Sequence, residues 1–217
     1  MGANKVEFES PRSSGSIGLE GRLHSANIEE KAPGVVLCHP HPAGGGEMGV
    51  SLIRRLAEEL SARGFVALRF NFGGVGLSGG NFTDGAEEPQ DVAAAVQYLK
   101  SLTEVNLEQV HLAGWSFGSW MALMALAEGL PAVSCVLIAP PLIAYDWRGR
   151  GQRIATSPAR RHYIVGERDQ FCSVADLREF ASEISPEDAA SVTVLPGADH
   201  FLFDRESEVV GMVAERL

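Results

Sequence analysis

Short, largely apolar runs alternate along the chain with stretches whose apolar positions recur every three or four residues. The runs at 34–38 (GVVLC), 65–70 (FVALRF), 110–113, 133–139, 162–165 and 192–195 have the length and character of strands buried in a sheet. Helical spacing separates them. It predicts a helix over 51–62, with Leu52, Ile53, Leu56, Ala57 and Leu60 on one face, and another over 91–102, with Val92, Ala95, Val96 and Leu99 inward. Further helices are expected at 116–128, around 175–184, and at 206–216. Strands alternating with helices imply βαβ units and a mostly parallel sheet covered on both faces. Upstream, 5–8 and 17–25 show looser alternation with no helix between them, the pattern of an antiparallel hairpin at one sheet edge. The stretch 141–159, which carries Arg148, Arg150 and Arg153, is the one long irregular segment. Nothing in the pattern divides the chain, so residues 1–217 are expected to form a single domain.

Charge and cysteine usage narrow the partners. The formal net charge is −10, and a chain this acidic is repelled by phosphate backbones, which excludes nucleic acid. The most apolar stretch, 132–145, is too short to span a bilayer and holds Pro140 and Pro141, so no membrane partner is expected. The first ten residues contain no apolar secretory region. The three cysteines, Cys38, Cys135 and Cys172, form no CxxC pattern and cannot all pair, which favours a reducing cytoplasm and argues against zinc.

Candidate chemistry lies where strands end. Gly114-Trp115-Ser116-Phe117-Gly118 fits G-x-S-x-G between a predicted strand and a predicted helix. That turn presents a serine hydroxyl, with glycines that let neighbouring backbone approach it. Gly76-Leu77-Ser78-Gly79-Gly80 matches the same pattern, but turn-forming residues follow Ser78, so Ser116 is the expected nucleophile. Gly74 to Gly79 also fits G-x-G-x-x-G, yet no helix is predicted to start there to hold a pyrophosphate, and no nucleotide or other cofactor is expected. A serine needs a base. Among the six histidines, His200 follows the last predicted strand, and Asp169 follows the one before it; they are the expected base and its orienting acid, with Glu167 and Asp199 as competitors for the acid. His111 and His162 are expected to be packed within or beside strands, and His24 to lie at the surface. The turn His39-Pro40-His41-Pro42 follows the first parallel strand. Its prolines lack an N–H, so His41 is expected to supply one oxyanion-hole donor and Phe117, next to the nucleophile, the other. His-x-His invites a metal, but no third ligand cluster accompanies it, and none is expected. Trp115 and Met48 are expected to line a shallow substrate pocket.

The segments CHPHPAGGGEMG, RFNFGGVGLSGG, GWSFG, GERD and PGADHFLF, in this order, resemble a family of small lidless bacterial α/β-hydrolases close to the dienelactone-hydrolase-like group. The resemblance runs from about Gly34 to the C-terminus. It implies the α/β-hydrolase fold, with a mostly parallel eight-stranded sheet, helices on both faces and no large lid domain. It also implies a Ser-Asp-His triad, which falls on Ser116, Asp169 and His200. Two departures stand out. Dienelactone hydrolase itself uses Cys where this chain has Ser116, and the family stretch RFNFRGVG usually has Arg where this chain has Gly73; a substrate anion bound there would lose its partner. The expected activity is hydrolysis of a small-molecule carboxylic ester. The same residues would also serve a peptidase, an acyltransferase or a ligand sensor without turnover.

Overall fold

The computed structural model describes residues 2–26, 30–145, 147, 151–184 and 190–217. Eight strands form one sheet: β1 (Asn4–Arg12), β2 (Gly15–His24), β3 (Ala32–Cys38), β4 (Val66–Phe70), β5 (Val105–Trp115), β6 (Ser134–Ile138), β7 (Arg160–Gly166) and β8 (Ala190–Leu195). Six α-helices accompany them: α1 (Ser51–Ala62), α2 (Glu88–Ser101), α3 (Phe117–Ala127), α4 (Gly151–Ala155), α5 (Val174–Ile184) and α6 (Glu206–Arg216). The strand order is β1-β2-β4-β3-β5-β6-β7-β8. From β4 to β8 every neighbour is parallel. The hairpin β1–β2 is antiparallel and joins the rest through an antiparallel β2–β4 pairing.

The central strands are apolar on both faces because both are covered. In β3, Val36 and Cys38 point into a core shared with α2, α3 and α5, while Val35 and Leu37 point into a second core built with α1 and α6. This one-residue alternation follows from the pleat. The hairpin is tied to the first core by Phe8, which stacks on Tyr98 of α2 at 5.1 Å.

β3 sits between β4 and β5. The chain leaves it on one side through α1 to β4, then crosses to the other side through α2 to β5. In open α/β sheets a reversal of this kind opens a crevice at the carboxyl ends of the strands. Here the residues at those ends are 39–46 after β3 and Ser116 after β5.

Three elements differ from the expectation. β5 begins at Val105, well before 110: Val105 is buried, but 106–109 are partly or fully exposed and mostly polar, so they do not extend the buried apolar run at 110–113. α2 begins at Glu88, where Pro89 starts the helix and the buried Glu88 carboxylate accepts from the backbone N–H of Thr83 and Gly85. The irregular stretch 141–159 contains the short helix α4, which inserts Ile154 into the core and carries Arg153 on its exposed side; Arg148 and Arg150 lie outside the described residues. Among the described residues, the β6–β7 connection holds this one helix and no lid domain, and no helix is long and apolar enough to cross a membrane.

Candidate active site

Ser116 occupies a strained turn between β5 and α3, with φ 52° and ψ −118°. A non-glycine residue there costs of order 1–3 kcal/mol, which the surrounding packing must hold in place. Two glycines make the turn possible. A Cβ on Gly114 would lie 2.4 Å from the carbonyl carbon of Gly118, and one on Gly118 would lie 2.2 Å from the carbonyl oxygen of Cys38. The glycines of the motif therefore let the elbow close on itself and let the end of β3 approach Ser116.

The serine Oγ is 2.8 Å from His200 Nε2, and His200 Nδ1 is 3.0 Å from both carboxylate oxygens of Asp169. A carboxylate only accepts, so Nδ1 carries the proton and Nε2 is free to accept from the serine hydroxyl. Asp169 is itself fixed, since its Oδ1 accepts from the backbone N–H of Phe171 at 2.8 Å and of Cys172 at 3.0 Å. The competing acids are occupied elsewhere. Asp199 accepts from the N–H groups of Phe201 and Leu202, and Glu167 from that of Gly197.

The loop after β3 flanks the serine. His41 and Phe117 both border the cavity over Ser116, and neither backbone N–H has an acceptor among the described residues. His41 directs its side chain away from that task. Its Nδ1 accepts from the Ala43 N–H at 3.1 Å, and its Nε2 donates to Asp84 at 3.1 Å. His39 is buried, with its ring bonded to Pro40 O and to the Phe72 N–H. The two rings of His-x-His thus face different partners, and among the described residues no group of three or more His, Cys, Asp or Glu side chains is placed to hold a metal.

The cavity has a volume of about 350 Å³ and is walled by Trp115, Phe117, Tyr145, Phe171, Phe201 and Pro141. Trp115 is where the sequence puts it. Met48 is not: it is buried away from the cavity, its N–H donating to Asn71 and its carbonyl accepting from Arg69. Closeness in sequence to the oxyanion loop did not bring it to the pocket because those two bonds draw its backbone toward the end of β4. Tyr145, Phe171, Phe201 and Asp84 were missed. Each sits on a loop that follows a strand or borders the glycine-rich segment, and only its aromatic or acidic character marks it.

A family model for the alpha/beta hydrolase domain matches residues 33–211. The chain belongs to this family. Among solved structures, the hydrolase is similar to a protein of unknown function from Agrobacterium tumefaciens described as an α/β hydrolase, with 30% identity, a TM-score of 0.84, and coverage of 98% of this chain and 94% of that one. It is also similar to an α/β serine hydrolase homologue from Coxiella burnetii, with 25% identity, a TM-score of 0.81, and coverage of 98% and 97%. An uncharacterized protein of Rickettsia prowazekii (strain Madrid E) is 30% identical over 190 residues, 84% of this chain and 77% of its own length.

Two features that compete with the site in the sequence are structural in the hydrolase. Ser78 is buried, donates to Asn71 O at 2.7 Å and accepts from the Glu20 N–H at 3.1 Å, so it pins the glycine-rich loop to β2. Gly73 does not border the cavity. Its missing side chain leaves room for the Arg12 guanidinium, since a Cβ there would meet Nη2 at 2.4 Å, and that guanidinium pairs with buried Asp91. At position 73 this chain therefore borders a structural ion pair and not the cavity.

Burial sets the acid limit of the fold. It lowers His39, His24 and His111 from the ordinary 6.5 to about 4, with Arg69 adding to the effect at His24 and Arg160 at His111. His24, expected at the surface, is in fact buried and accepts from Arg69 Nε at 3.1 Å. A histidine depressed in the folded state gives stability that is complete above 6.5 and is lost as the pH falls toward 4. For His39 the full window is worth about 3 kcal/mol. Burial also lowers His162, and it raises Asp91 from 3.8 to about 6, which acts in the opposite direction, so four histidines oppose one carboxyl. The melting temperature should therefore fall between pH 7 and pH 4.5. A constant or rising value, measured by differential scanning fluorimetry across that range, would contradict this balance.

Proposed function

We propose that this hydrolase cleaves small carboxylic esters through an acyl-enzyme on Ser116. The observation that carries the reading is the chain of contacts from Ser116 Oγ to His200 at 2.8 Å and on to Asp169 at 3.0 Å, opening on an apolar cavity. His200 takes the serine proton as Oγ attacks the acyl carbon. The tetrahedral oxygen is held by the N–H groups of Phe117 and His41. His200 then protonates the leaving alcohol, and a water activated by the same imidazole releases the acid.

The walls support the choice of substrate. Among the described residues no lysine or arginine borders the cavity, whose walls are mostly apolar and aromatic, and its His41 is engaged by Asp84. A volume of about 350 Å³ lies at the lower end of the range for small-molecule sites, roughly 300–1,000 Å³. A small ester fits within it. Each buried methylene contributes about 0.8 kcal/mol, or roughly fourfold in kcat/KM. Across 4-nitrophenyl esters, kcat/KM should rise by about that factor per methylene from acetate, then level or fall once the chain leaves the cavity, with no activation by emulsions. A steady rise out to palmitate would rule out the small-substrate reading. Slow single-turnover release with every ester would favour a sensor.

A further inference from the structure

We infer that His39 is the positioning residue of the oxyanion hole: its imidazole holds the Pro40–His41 peptide with the carbonyl turned inward, so that the His41 N–H faces Ser116. The inference rests on the ester-hydrolysis reading for the use of that N–H, and on geometry alone for its direction. A peptide unit is planar and trans, so its C=O and N–H point in opposite directions. Whatever fixes the Pro40 carbonyl fixes the His41 N–H. His39 Nδ1 lies 2.7 Å from Pro40 O and donates to it, while Nε2 accepts from the Phe72 N–H at 3.2 Å. The second bond sets the tautomer: Nε2 must be bare to accept, so the proton is on Nδ1 and aimed at the carbonyl.

The clamp is rigid. The His39 side chain is buried and its ring meets Phe72 edge-on at 4.7 Å; Phe72 in turn meets Phe117 at 5.4 Å, the residue that bears the other donor. Gly46 closes the far side of the same carbonyl, since a Cβ there would lie 2.0 Å from Pro40 O. Burial keeps the imidazole neutral well below pH 7, so the clamp does not titrate over the range in which esters are assayed. A flipped peptide would put the Pro40 carbonyl where the N–H stands and repel the oxyanion instead of stabilising it. The prolines on both sides of His41 have no N–H, and the N–H groups of Ala43, Gly44, Gly45 and Gly46 are bonded within the loop.

Two substitutions separate positioning from packing. His39→Asn keeps a donor at the Nδ1 position, and His39→Gln keeps an acceptor near the Nε2 position but takes the donor away from Pro40. Full loss of one oxyanion donor costs about 10²–10³ in kcat, and a peptide freed to flip loses roughly 10–10³-fold. His39→Gln should show that loss in kcat with KM within about twofold, and His39→Asn should recover most of it. Crystal structures of both variants give a readout independent of catalysis: the Pro40–His41 peptide should be flipped or mixed in His39→Gln and unchanged in His39→Asn. If His39→Gln keeps both kcat and the peptide orientation, the inference is overturned. A wild-type protein that hydrolyses no ester, together with a flipped peptide in His39→Gln, would overturn the ester reading and leave the positioning role standing.

Discussion

Ser116→Ala should lower ester turnover by roughly 10⁴–10⁶-fold, the range seen when one member of a group acting as a unit is removed. The site makes this loss close to complete because nothing else can replace the hydroxyl. Ser119, one turn further along α3, is fully buried and spends its hydroxyl on Ser116 O at 2.6 Å. Ser78 is committed to Asn71 and Glu20. Cys172 is buried, and burial pushes its thiol up to about 12, so little thiolate is available at neutral pH. Residual activity in the variant comes from the oxyanion donors and the cavity acting on water. The fold should be retained, because alanine keeps the Cβ and the turn and removes only the hydroxyl. The check is kcat on the best short ester, with the melting temperature as control. A loss smaller than about 100-fold would mean that Ser116 is not the group acylated.

Asp169→Asn should cost up to about 10⁴-fold, although the side chain keeps its shape. The direction follows from the two backbone donors aimed at Oδ1. Phe171 N–H at 2.8 Å and Cys172 N–H at 3.0 Å require an acceptor there, so an asparagine must place its carbonyl oxygen at that position and its NH₂ at the other. The NH₂ then lies 3.0 Å from His200 Nδ1, where it disfavours a proton on Nδ1 and favours the tautomer with the proton on Nε2. In that tautomer Nε2 cannot take the proton of Ser116. Asp199→Asn is the contrast. Its Oδ1 accepts from Phe201 and Leu202, a task an amide oxygen performs as well, so activity should stay within a few-fold. If Asp199→Asn were the crippling change and Asp169→Asn the mild one, the acid would be misassigned.

Much of the framework was legible because a doubly covered sheet demands continuous apolar strands, and six such runs are plain in the chain. What escaped has physical reasons. The exposed segment 106–109 of β5 and the five-residue helix α4 are too short and too polar to carry a buried-run signal. The β2–β4 pairing is a choice of neighbour, which no local pattern encodes. That Ser116, His200 and Asp169 come together could be anticipated because each follows a strand end. The walls could not. Tyr145 and Phe171 reach the cavity from loops, and Asp84, which joins His41 to Tyr145, sits in a segment that reads as turn chemistry. His39 and His41 look interchangeable in sequence, yet one is buried against a carbonyl and the other borders the cavity.

The central claim is that Ser116 is the residue that becomes acylated. Its most direct test is peptide-mapping mass spectrometry after brief exposure to a fluorophosphonate, with ester turnover followed in the same sample. The account predicts a single adduct on the peptide bearing Ser116, formed in step with the loss of activity and absent from Ser116→Ala. An adduct on Ser78, or full loss of turnover with Ser116 unmodified, would contradict it.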